Sequence, residues 1–244
     1  MHLKYTHIYG PVLVTLWLGL FLDSYIVAEY IPRNQWLTNG LVILVFGWVF
    51  SQVSKVAKQL MIFGVFLSFA GEVVFALVLG MYTYRLGNVP FYVPLGHALV
   101  YAAVYYMTRE NWFRKHRQRI NGLLYPLIIL YATLWLIFAQ DVLGFACMLV
   151  ILLLFKRHPD TKLFFLLMFF MVVYLELIGT YYQCWFWPNI WFGELSWVPS
   201  ANPPSGISVI YFAFDTGCLL FYKLFNIQRW HRFRILQKLR KHPA

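Results

Sequence analysis

The sequence predicts an all-α polytopic membrane protein of about eight transmembrane helices, arranged as two parallel four-helix repeats. Three observations predict it: the composition, the placement of charge, and a set of internal matches in chain order. Of 244 residues, 61% are hydrophobic, 20% aromatic and only 12% charged. A soluble domain of this size has no means of hiding so much apolar surface, which makes the bilayer the solvent.

The spans follow from apolar runs of roughly 20 residues. The first covers 10–30; it lacks a small-residue cleavage site and more spans follow it, so it does not read as a cleavable signal peptide. The second, 39–54, is short and holds "LVILVFGWVF". The third, 60–82, carries Glu72 near its middle. The fourth, 91–108, opens on "VPLG", where Pro at a first helical position loses no hydrogen bond and presets φ. The fifth is 121–139 and the sixth, again short, 142–156. The seventh, 162–186, carries Glu176, and the eighth, 206–226, follows "SANPPSG" and carries Asp215.

With this count the basic segments "SKVAKQ" (54–59), "RENWFRKHRQR" (109–119), "KRHPDTK" (156–162) and the tail "QRWHRFRILQKLRKH" (228–242) share one side with the N-terminus. The opposite loops hold Arg33, Arg85 and Glu194. This is the positive-inside pattern and predicts that both termini are cytoplasmic, in what reads as a bacterial inner membrane. The net charge of +11 is therefore expected to meet anionic lipid at the membrane surface, not nucleic acid. Cys147, Cys184 and Cys218 are odd in number, form no CxxC and lie in apolar surroundings, so they read as packing residues.

The matches divide the chain. "TLWLGLFLD" (15–23) answers "TLWLIFAQD" (133–141), and "LVIL" stands at 41–44 and 149–152. Glu72 answers Glu176, each followed by an aromatic-x-aromatic: Tyr82-Thr83-Tyr84 and Trp185-Phe186-Trp187. Pro94-Leu95-Gly96 leads to Tyr101 as Pro204-Ser205-Gly206 leads to Tyr211. Four matches in one order predict repeats over 1–112 and 113–244. Four spans per unit is an even number, so the copies run parallel, about a pseudo-twofold axis along the membrane normal.

A mid-membrane carboxyl costs about 2.5–3.5 kcal/mol on insertion scales, which singles out Glu72, Glu176 and Asp215 as catalytic candidates. They are expected to be either protonated or hydrogen-bonded to one another and to nearby Tyr and Trp. Asp23 stands in the outer half of the first span. His97, Tyr82, Tyr84, Trp185, Trp187, Tyr101 and Tyr211 are candidate substrate-binding residues. Asn202 and Ser205 join them, because the helices starting near Pro94 and Pro204 point free N–H groups at the non-cytoplasmic mouth. Ordinary turns and interhelical glue account for the same residues without a substrate. No HxxxH or HExxH box, GxSxG, P-loop or GxGxxG is present, and His97 alone is a poor ligand; neither metal nor cofactor is expected.

The segment "GEVVFALVLGMYTYRLGNVPFYVPLGHALVY" (71–101) resembles the integral-membrane carotenoid hydratases of the bisanhydrobacterioruberin type, which have a span Glu, a Gly-rich turn into Tyr-x-Tyr, and Val-Pro before the next helix. Gly80-Met81 stands where that family has Pro-Phe-Gly, and the second half fits less well. The resemblance implies that Glu72, Tyr82, Tyr84 and Pro90 line a pocket for a long isoprenoid or similar lipid. On that footing the chain is expected to be an enzyme that protonates or hydrates an alkene through a carboxyl general acid. The same residues suit a proton-coupled carrier of a small molecule or lipid, or a non-catalytic membrane subunit whose acids serve assembly.

Overall fold

Helix takes up nearly every apolar run in the computed structural model, which describes residues 3–228. The basic tail beyond that lies outside the described residues. Helix α1 (Thr6–Leu22) stops at Asp23, and Ser24 starts the short α2 (Tyr25–Ala28) by accepting a hydrogen bond from the Val27 N–H. The run expected over 10–30 is therefore broken by a polar pair that turns the chain. Helix α3 (Gln35–Gln52) ends just before Ser54, which caps α4 (Lys55–Glu72) through the Ala57 N–H. Helix α4 continues as a π-helical segment, Val73–Val78, ending near Gly80, whose φ of +59° suits glycine. Strand β1 (Thr83–Tyr84) and helix α5 (Tyr92–Met107) complete the first half.

The short α6 (Asn111–Lys115) leads into α7 (Arg117–Ala139). Asp141 then caps α8 (Val142–Arg157) by accepting from the Gly144 N–H. A 3₁₀ turn, Pro159–Thr161, precedes α9 (Lys162–Tyr181). Strand β2 (Trp185–Phe186) and a long loop separate α9 from α10 (Ser208–Phe225). The seventh expected span thus ends five residues early. After α9 the chain reverses through Gln183, at φ +56°, into β2.

Four helical segments are long and apolar enough to cross a membrane: Lys55–Val78, Arg117–Ala139, Pro159–Tyr181 and Ser208–Phe225. Helix α1 is apolar but has 17 residues. Helices α5 and α8 have 16 residues each, about 24 Å at 1.5 Å per residue, against a hydrocarbon core of about 30 Å. Helix α3 is diluted by Gln35, Asn39 and Gln52. Large side chains face outward from several helices; Leu44, Phe66 and Phe138 are 73%, 69% and 82% exposed. Such a surface suits hydrocarbon and not water.

Helix α5 occupies the centre, against α1, α3 and α4 from its own half and α9 from the other. Its run Ala98–Val104 is buried throughout, and the three alanines let neighbouring backbones come close. Helix α4 packs on α10, so both carboxylate-bearing helices meet a helix of the opposite half. Successive long helices reverse direction and sort the loops into two sets. One end carries Lys55, Lys58, Arg109, Arg114, Lys115, Arg117, Lys156, Arg157 and Lys162; the other carries Arg33 and Arg85. At the basic end Glu110 accepts from the Lys4 and Tyr5 N–H groups, and Arg117 donates to the carbonyls of Pro159 and Asp160. At the opposite end β1 and β2 pair antiparallel, Thr83 with Phe186 and Tyr84 with Trp185. This pairing joins the two halves directly.

Candidate functional site

Glu72 lies at the last turn of α4, 4% exposed. The chain leaves α4 through the π segment and returns along β1, which brings two phenols back over the carboxylate. Both hydroxyls donate to Oε2, from Tyr82 at 2.6 Å and from Tyr84 at 2.6 Å. The other oxygen, Oε1, meets Nε2 of His97 on α5 at 3.1 Å. With three partners shared between its two oxygens, this buried carboxyl has neither oxygen unpaired.

Glu176 lies on α9, also 4% exposed, with a parallel set of partners. Its Oε2 accepts from the indole N–H of Trp185 at 2.9 Å and of Trp187 at 3.1 Å, and its Oε1 from the Tyr211 hydroxyl at 3.3 Å. Gly179 makes this possible: a Cβ there would collide with the Trp185 ring lying across α9.

The two constellations touch. The Tyr82 and Trp187 rings are 4.4 Å apart, the Tyr84 and Trp185 rings 6.2 Å, and the His97 and Tyr211 rings stack at 4.6 Å. Around them lies one cavity of about 80 Å³ between α1, α3, α4, α5, α9, α10 and the paired strands β1 and β2. Glu72, Glu176, Tyr82, Tyr84, Trp185, Trp187, His97 and Tyr211 all line it, with Val12, Leu16, Leu20, Val42 and Leu99 as apolar wall. The polar groups gather at one end of a greasy chamber, an arrangement suited to a mainly apolar ligand with one reacting or charged point.

Asp215, Tyr101, Asn202 and Ser205 lie elsewhere. Asp215 and Tyr101 line a second, smaller chamber that shares His97, Tyr211 and Phe214 with the first. Asn202 is turned to the loop, where its Oδ1 accepts from the Trp187 N–H and so fixes the chain just after β2. The Ser205 N–H donates to Asp141 Oδ2 at 2.7 Å, while Oδ1 takes the N–H groups of Ala201 and Gly144. The free N–H groups near the start of α10 are thus met by a carboxylate of the chain itself. Gly206 belongs to the same close approach, since a Cβ there would strike the Gly144 carbonyl.

A further polar cluster lies beside the paired strands. Arg85 binds Asp23 at 2.6 Å and Asn34 Oδ1 at 2.7 Å, and Tyr92 donates to the second Asp23 oxygen at 2.7 Å. Asp23 is fully buried. Sequence reasoning singled out neither this clamp nor the role of Asp141. The signal available was the Asp closing each Thr-Leu-Trp-Leu match, together with Arg85 as one of two cations on its side. Among the described residues no group of three or more His, Cys, Asp or Glu is placed to hold a metal ion.

Compared with known proteins, the chain matches no family model, no curated protein and no solved structure.

Proposed function

We propose that the chain is an integral-membrane enzyme that protonates or hydrates an alkene in a long isoprenoid or similar lipid. The observation that carries this reading is the pair Glu72 and Glu176, held by aromatic donors at the polar end of one mainly apolar cavity. Protonated Glu72 is the general acid: its proton goes to one alkene carbon and leaves the cation on the other. The faces of Tyr82, Tyr84, Trp185 and Trp187 stabilise that cation electrostatically. Water adds to it, and Glu176 takes the proton that the water loses. The likeness of residues 71–101 to the carotenoid hydratases points the same way.

The reading includes eight spans in two parallel repeats, 1–112 and 113–244, with both termini cytoplasmic. Supporting it are eight helices of 16 to 23 residues, the matched partner sets of Glu72 and Glu176, and the gathering of cations at one end. Anionic lipid against that basic end is part of the proposal.

A proton-coupled carrier is the second reading, favoured by the same two carboxyls at the meeting of the two halves. Glu72→Gln keeps size and hydrogen bonding but cannot donate as an acid. In liposomes the enzyme reading expects it to retain lipid binding and lose turnover by about 10²–10⁴-fold. The carrier reading expects exchange to continue without response to an imposed pH gradient. Conversion that survives both Glu72→Gln and Glu176→Gln overturns the mechanism.

A further inference from the structure

The second chamber holds the buried titratable group that the mechanism above leaves idle. Asp215 is 7% exposed, and its Oδ2 is buried without a hydrogen-bond partner among the described residues. The chamber walls come from four helices. Helix α4 contributes Gly64 and Ser68, and α5 contributes His97, Val100 and Tyr101. Helix α9 contributes Met168, while α10 contributes Tyr211, Phe214, Asp215 and Cys218. The titratable groups facing Asp215 are therefore His97, Tyr101, Tyr211 and Cys218; no Lys or Arg stands among them. A lone carboxylate here has nothing to offset its desolvation, so the chamber suits the neutral acid. Its free space fits about one water, and a water needs polar partners such as the Asp215 carboxyl and an imidazole.

His97 is what connects this chamber to the site. Its ring forms part of the wall of both cavities, and its Nε2 already meets Glu72 Oε1 at 3.1 Å. An imidazole accepts a proton on one nitrogen while releasing one from the other, which makes a ring with two faces a shuttle. Tyr101, which shares the chamber with Asp215, stacks on Tyr105, and Arg109 lies over the Tyr105 ring at 4.2 Å. Tyr101 and Tyr105 on α5, and Arg109 just beyond it, succeed one another toward the basic end.

We propose that Asp215 is the proton donor that recharges Glu72, through one water in the side chamber and the His97 ring. The step balances as a proton transfer alone. Asp215 gives its proton to the water, the water gives one to Nδ1 of His97, and the Nε2 proton passes to Oε1 of Glu72. Asp215 ends ionised and is reprotonated from the basic end; no oxidant or other reactant enters. Asp215 is in this account a relay residue that never touches the lipid. The inference rests on Glu72 acting as an acid, in either the enzyme or the carrier reading.

The test is a pH jump on the full chain in liposomes, followed by time-resolved infrared absorption of the carboxyl groups. Glu72→Gln and Asp215→Asn assign the two bands by their disappearance. With Asp215→Asn, protonation of Glu72 should slow by about 10²-fold or more, and Asp215→Glu, which keeps a carboxyl, should restore most of the rate. His97→Gln should slow Glu72 equally while Asp215 still titrates. An unchanged Glu72 rate in Asp215→Asn overturns the relay, as does failure of Asp215→Glu to rescue a variant that folds and elutes normally. Lipid conversion and solute uptake, measured on the same preparations, separate the two ideas. Absence of both alongside an Asp215-dependent Glu72 response sinks the function and keeps the relay.

Discussion

At the residue scale, the expensive groups are those whose partners come from distant parts of the chain. Asp23 and Arg85 are 62 positions apart and form a pair whose side chains are 0% and 15% exposed. Removing the cation leaves a buried carboxylate without its counter-charge, which costs about 3–5 kcal/mol. Arg85→Leu should therefore lower the unfolding temperature in detergent sharply, and adding Asp23→Leu should recover part of the loss. A double variant no more stable than Arg85→Leu alone would show that the pair does not act as a unit. Gly179 offers a second case. Gly179→Ala drives a methyl into the Trp185 ring, for about 1–3 kcal/mol of overpacking, and pushes an indole donor away from Glu176. Gly122→Ala, on the exposed side of α7 with nothing within 4 Å of the new carbon, is the control and should be neutral or slightly stabilising. Equal melting of the two variants would mean that Trp185 is not packed as described.

At the element scale, the spacing after each carboxylate explains the π segment. Tyr82 and Tyr84 follow Glu72 by 10 and 12 residues, whereas Trp185 and Trp187 follow Glu176 by 9 and 11. The first half has one residue more to place over a similar path. A π turn, with bonds such as Leu79 N–H to the Val74 carbonyl, holds more residues than an α turn and absorbs it. Deleting Val78 should accordingly let α4 run on as regular helix while Tyr82 and Tyr84 still reach Glu72. Thermal unfolding should then shift by no more than about 2–4 °C, the equivalent of about 1 kcal/mol in a protein of this size. Deleting Phe66 instead rotates every later residue of α4 by about 100° and should abolish recovery of folded protein. Similar damage from both deletions would contradict the account of the π turn. The sequence carried the carboxylates and the aromatic pairs, because each is a local pattern with a local cost. The strand pairing, the Asp23–Arg85 clamp and the capture of the α10 start by Asp141 were not legible. They depend on which loops meet across the two halves, and hydropathy carries no such information. The separation of Asp215 into its own chamber was hidden for a related reason: a period of 3.6 gives a helix face, but not which neighbours divide the space beside it.

At the scale of the whole molecule, the two halves are interleaved and not merely adjacent. Helix α4 packs on α10, α5 packs on α9, and β1 pairs with β2, so each half borrows part of its interior from the other. The Glu72 and Glu176 groups are joined through ring contacts that cross the same boundary. Neither half alone can cover these surfaces, and in a bilayer the unpaired strand and buried carboxyls would have no substitute partners. Co-expressed segments 1–112 and 113–244 should therefore assemble and co-purify, while each expressed singly should aggregate or be degraded. The assembled pair also reports orientation. After replacement of Cys147, Cys184 and Cys218, single cysteines at Lys115, the last residue of α6, and at Asn189, in the loop after β2, lie at opposite ends of the bundle. With positive-inside placement, an impermeant thiol reagent added to intact cells should label Asn189→Cys and spare Lys115→Cys until the membrane is opened. Labelling of Lys115→Cys in intact cells would invert the orientation, and a single half that is monodisperse and stable would remove the reason for treating the carboxylates as one shared site.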